Sequence, residues 1–136
     1  MTPKTDKVKT VQAGPKEREG RLSKAQQFLK VAQDVEELNT PDGLDGVRDA
    51  CVPLLVHAGI AASDAICAKA LGKHAQGENH AAAVTLLASV DKEAGTSLNT
   101  LLGMKTRAGY GHDPVRSDQL KKAKRAAEAL VERANF

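Results

Sequence analysis

Aromatic residues are almost missing from this chain: there is no Trp, one Tyr and two Phe, 2% of the sequence, although 41% of it is hydrophobic. The apolar content is therefore mostly Ala, Leu and Val, and the β-branched and aromatic residues that favour strands are scarce. Ala and Leu are among the best helix formers, so composition points to an all-α fold. A core of Ala and Leu is also thin, because each small side chain removes little area from water at roughly 25 cal/mol per Å². Self-association is one way to supply more burial.

Cysteine is scarce as well. Cys51 and Cys67 are the only two, sixteen residues apart in a segment that reads as one helix. At 1.5 Å per residue this puts them about 24 Å apart, too far to bridge. Two unpaired thiols suit a reducing cytoplasm. Met1 to Gly20 carries Lys4, Lys7 and Lys9 without an apolar run, so neither a secretory signal nor a membrane span is expected there. The net charge of +3, from 20 Lys and Arg against 17 Asp and Glu, describes a mixed surface rather than a polycation. No Gly-x-x-x-x-Gly-Lys phosphate loop, His-Glu-x-x-His helix or Cys-x-x-Cys pair occurs, so no metal or cofactor is expected.

The residues present form helical patterns. Leu22, Ala25, Phe28, Leu29, Ala32, Val35 and Leu38 recur at three- and four-residue steps and predict a first helix over 17–38. Residues 1–16 are expected to form a polar segment without structure, and 17–136 one helical domain. The turn residues Asn39 to Gly43 end the first helix, and a second is predicted over 44–71, with Pro53 marking a kink or break. A polar connection over 72–78 leads to a short helix through Val90. A fourth helix begins near Asp91 to Ala94 and frays near Gly109 and Gly111, before Pro114. Ser117 is the expected N-cap of a fifth helix running from Asp118 to the end. Five helices with short turns predict an up-and-down antiparallel bundle.

Two places carry chemistry. Asp64 lies in the Ala-rich run Ala61 to Ile66, where an unpaired carboxylate would cost several kcal/mol, so it requires a partner. His80, at the start of the third helix, is the expected one, in a structural pair rather than a catalytic dyad. The second place is the end of the fourth helix, where Lys105, Arg107, Tyr110, His112 and Asp113 gather. Arg107 could hold a phosphate by its fork, and His112 could move a proton at a ribose hydroxyl. The same Tyr110 ring suits a plug in an Ala-rich core. Downstream, Arg116, Lys121, Lys122, Lys124 and Arg125 form a basic cluster suited to a nucleic-acid backbone, or equally to a solvated helix face.

Taken together, three segments resemble the HEPN family of prokaryotic helical-bundle proteins: Ala62-Ser63-Asp64-Ala65-Ile66; Gly77-Glu78-Asn79-His80 with Ala83, Leu86 and Leu87; and Leu101-Leu102 with Lys105, Ala108, Tyr110 and Val115 before the Ala-rich last helix. The resemblance covers about 22–134. Catalytic members of that family are metal-independent endoribonucleases, often toxins or defence effectors, with an Arg followed after four to six residues by a His. Arg107 and His112 have four residues between them. Those members carry a polar residue after the Arg, whereas Ala108 stands here, and the Lys105 to Tyr110 pattern is closer to members of unassigned activity. The resemblance therefore implies a non-catalytic module that binds nucleic acid or protein, with Lys105, Tyr110, Arg116, Lys121, Lys122, Lys124 and Arg125 as contacts. A ribonuclease using Arg107 and His112 is the alternative. The resemblance further implies a homodimer and a toxin-antitoxin or defence setting with an antitoxin as one partner, while the thiols and the lack of an apolar run at the start lead to the expectation of a cytoplasmic protein without membrane contact.

Overall fold

A computed structural model describes residues 9–37, 45–76, 79–110 and 112–135, with the backbone alone for 45–47 and 106–110. Along the chain come β1 (Thr10–Gln12), α1 (Pro15–Glu37), α2 (Asp45–Leu71), β2 (Lys73–Ala75), α3 (His80–Val90), α4 (Lys92–Tyr110) and α5 (Ser117–Ala134). The all-α expectation holds: among the described residues five helices form a bundle, accompanied by a single two-stranded antiparallel ribbon.

Local chemistry sets the helix ends. Pro15 occupies the first position of α1, where its missing N–H costs nothing, and Glu17 reaches back to accept from the Gly14 N–H at 2.9 Å. The helix thus begins two residues before the expected start. Gly72, at φ 70°, ends α2 in the left-handed conformation that glycine adopts without a Cβ penalty, its N–H donating to Ala68 O. Asn79 caps α3 by accepting from the Ala82 N–H at 3.0 Å. Asp91 serves two helices, because its backbone N–H donates to Leu87 O at the end of α3 while its side chain accepts from the Ala94 N–H in α4. Ser117 is the first residue of α5 rather than its cap. Arg116 holds the cap position, and its backbone N–H donates to Gln119 Oε1 at 2.9 Å.

Two expectations change. Pro53 lies inside α2 without breaking it. An internal proline costs about 3 kcal/mol, but α2 is the central helix, packed against α1, α4 and α5, and its burial outweighs that loss. The stretch 10–12, expected to lack structure, pairs with the 73–75 stretch of the supposed connection, in the register Thr10 to Ala75, Val11 to His74 and Gln12 to Lys73. Residues 1–8 lie outside the described residues.

Two helix pairs, α1–α2 and α3–α4, run antiparallel. Arg21 meets Asp64 and Ala32 meets Cys51 across α1 and α2, while His80 meets Lys105 and Ala88 meets Gly95 across α3 and α4. At the core, Val52, Leu55, Val56, Leu87, Leu98, Leu101 and Leu130 are the largest apolar side chains that are fully buried, with Ala filling much of the rest. Small residues let helices approach closely: a Cβ at Gly95 would stand 2.9 Å from the Ala88 Cα. By length and apolar content the 48–71 stretch could cross a membrane, but 67% of its most apolar window is buried in the bundle, so its hydrophobicity is used in the core.

Candidate functional site

One side of α2 opens into a cavity of about 470 Å³, walled by α1, the β1–β2 ribbon, α3 and α4. Its lining is mainly apolar, with Val11, Ile60, Ala83, Leu98 and Leu102, yet it also brings together His57, His74 and His80 with Arg21 and Asp64. Each element contributes one part. The α2 face that begins at His57 presents Ile60 and Asp64 at the same side, since positions three and four apart align on a helix.

Asp64 does have a partner, and it is not the expected one. The Arg21 guanidinium on α1 donates from Nε to Asp64 Oδ2 at 3.0 Å, and its Nη2 stands 2.9 Å from the same oxygen in the ion pair. Both side chains are largely withdrawn from solvent, with 30% and 15% exposure. His74 on β2 faces the other oxygen, its Nδ1 standing 3.6 Å from Asp64 Oδ1. The same Nδ1 lies 2.8 Å from Ala75 O; because a carbonyl only accepts, the His74 proton sits on Nδ1. Burial pushes the Asp64 carboxyl above its usual range, while the charges of His74 and Arg21 and the Arg21 hydrogen bonds pull it back. Arg21 is the stronger partner for a physical reason: its guanidinium carries a fixed charge, which a neutral imidazole lacks.

His80 instead meets Lys105. The ammonium Nζ stands 3.1 Å from His80 Nε2, and since an ammonium only donates, Nε2 accepts in a neutral imidazole. Lys105 thus contacts α3, at a histidine that lines the cavity. His57 stacks on Phe28 with ring centroids 5.2 Å apart. Arg21 and His74 were not singled out in the sequence. Arg21 comes 43 residues before Asp64, and His74 sits in a short polar connection, so no local spacing links them.

The other predicted contacts lie along the last helix. Arg116 is paired with Asp118 at 3.1 Å, and Lys124 bridges to Glu36 on α1 at 3.2 Å. Lys121, Lys122 and Arg125 are exposed, and none of the three forms an ion pair among the described residues. His112 is exposed in the turn between α4 and α5. Arg107 and Tyr110 belong to the last turn of α4, and their side chains lie outside the described part, as does any contact of theirs with His112. Among the described residues no group of three or more His, Cys, Asp or Glu is arranged to hold a metal ion. No protein-family model matches the chain, and no curated protein matches it.

Proposed function

We propose that the chain is a non-catalytic, HEPN-like helical module that binds nucleic acid through the first turns of α5. The observation that carries this reading is the separation of its cations: Arg116 and Lys124 are neutralised by carboxylates, whereas Lys121, Lys122 and Arg125 face solvent without one among the described residues. These three lie within two helical turns, a span of about 6 Å, close to the spacing of successive phosphates. His112 and Arg116 extend the same end of the molecule. Backbone binding of this kind is independent of sequence and falls steeply with salt.

Titration of single-stranded RNA and duplex DNA over a salt series tests it. Lys121→Glu with Lys122→Glu should weaken binding and lower the log-log salt slope by about two, one per lost phosphate contact. An unchanged slope would remove α5 from the account.

A metal-independent ribonuclease is a second reading, favoured by the exposure of His112 just past the helical turn that carries Arg107. It requires RNA cleavage in EDTA with 2′,3′-cyclic phosphate ends, abolished in His112→Ala. RNA that stays intact while still bound selects the non-catalytic module. The family resemblance adds a homodimer and a toxin-antitoxin or defence setting to both readings; sedimentation of the purified chain tests the dimer.

A further inference from the structure

The cavity beside α2 has no part in the α5 reading, and its chemistry points elsewhere. We propose that it binds an uncharged, mainly apolar small molecule bearing one oxygen acceptor, an alcohol or a ketone. The apolar body lies against Ile60, Ala83, Leu98 and Leu102, and the oxygen accepts from Arg21.

Four observations carry this. At about 470 Å³ the cavity lies within the size range of small-molecule sites, and it combines an apolar lining with a few polar groups. Second, apolar surface remains uncovered there. Ile60, Ala83 and Leu102 are only half-buried and Val11 is exposed, so a ligand that covers them gains roughly 25 cal/mol per Å². Third, the fixed charges of the lining cancel. Among the described residues these are Arg21 and Asp64, joined in one ion pair, while Ser63, Gln76 and the three histidines carry none above the titration range of imidazole. Lys105 contacts His80 from outside the lining. An ionic ligand would therefore bury a charge that the lining does not balance, at a cost in free energy. Fourth, a donor remains. Arg21 turns Nε and Nη2 to Asp64, whereas Nη1 has no hydrogen bond among the described residues. A guanidinium only donates, so the ligand must present an acceptor.

Competing ligand classes fit less well. A carboxylate or an alkylammonium brings one charge into a lining whose own charges already balance, and a phosphate monoester brings close to two. A divalent cation finds no cluster of ligating side chains among the described residues. A sugar, polar over its whole surface, has little use for Ile60, Leu98 and Leu102. The inference does not depend on nucleic-acid binding by α5, and neither result decides the other.

The test uses the full chain, ¹³C-labelled at its Ile, Leu and Ala methyl groups, at about pH 8.5, above the titration range of imidazole. Four probes of the same length are titrated: hexan-1-ol, hexan-2-one, sodium hexanoate and hexylammonium chloride. Hexanol should give saturable shifts centred on the Ile60, Ala83, Leu98 and Leu102 methyls. Hexan-2-one, an acceptor that cannot donate, should bind as tightly as hexanol, because the protein supplies the donor. Each ion should bind about tenfold more weakly than hexanol, since it buries an unbalanced charge. Ala83→Phe should fill the cavity and abolish hexanol binding. Because that variant could also disturb α3, the ranking of the four probes on the wild type stands as the independent readout. Either ion binding as tightly as hexanol, a tenfold loss for the ketone, no saturable shift with hexanol, or shifts centred on α5 would overturn the proposal.

Discussion

Arg21 and Asp64 join α1 to α2 through an ion pair on one carboxylate oxygen, with Nε donating at 3.0 Å and Nη2 at 2.9 Å from it, and His74 of β2 faces the other oxygen. Three elements distant in sequence are thereby tied at the cavity wall. Breaking one member leaves the others buried and short of a partner.

Replacing Arg21 by Met should cost about 1–3 kcal/mol at neutral pH, because the Asp64 charge then keeps only His74. The sign of the pH dependence follows from burial, which holds the Asp64 carboxyl above its ordinary range. Such a group binds its proton more tightly in the folded state, so its ionisation lowers stability as pH rises through the folded value. Loss of Arg21 raises that value further. The cost in Arg21→Met should therefore shrink as the pH falls from about 7 to about 4, since the raised carboxyl takes up its proton more readily than a free one. Urea unfolding of both proteins at the two pH values measures it, and an equal loss at both would contradict the assignment.

The glycines separate into two kinds. A Cβ at Gly95 would come 2.7 Å from the Ala88 Cβ and 2.9 Å from its Cα, so the α3–α4 hairpin must spread to admit it. Gly95→Ala should destabilise by about 1–3 kcal/mol. Gly20, inside α1, has nothing within 4 Å, and Gly20→Ala should stabilise by about 0.5–1 kcal/mol through lower backbone entropy in the unfolded chain. Opposite shifts in thermal midpoint are the expected result.

Both cysteines should be inert in the folded protein. Burial pushes the Cys67 thiol up to about 12, assisted by the Asp64 charge and opposed by Ser63, and burial also raises Cys51. A thiol reacts as its thiolate, so a disulfide reagent at mildly alkaline pH should modify neither until denaturant is added. Rapid modification of either one under native conditions would show that the α1–α2 packing opens.

Asn79→Ala removes the side chain that caps α3 and should cost about 1 kcal/mol. Since α3 begins at His80, the loss should also perturb the His80 contact with Lys105, visible as a shift of the imidazole resonances.

Much of the bundle was legible in the chain. The apolar stripes of Leu22 to Leu38 and of Leu120 to Ala134 carry the helical period, and Pro114 and the glycines mark where helices stop. The start of α1 was legible too, in Pro15 followed by Glu17, but the expectation placed it two residues later. Of the kink or break that Pro53 announced, the break does not occur, because the packing of the central helix outweighs the lost hydrogen bond. The ribbon escaped notice because its strands have three residues each and lie more than sixty apart, with no turn between them to announce the pairing.

Sequence alone determined the helical class, the Ala and Leu core and the need of Asp64 for a partner, since propensity, periodicity and the cost of a buried charge act through neighbouring residues. Only the tertiary structure decided that Arg21 and His74 meet this need, that Lys105 turns to His80, and that Lys124 finds a carboxylate while Lys121, Lys122 and Arg125 have none among the described residues. The reason is distance along the chain. Which charges meet depends on how helices dock, and docking is set by the fit of their buried faces rather than by the polar residues it brings together.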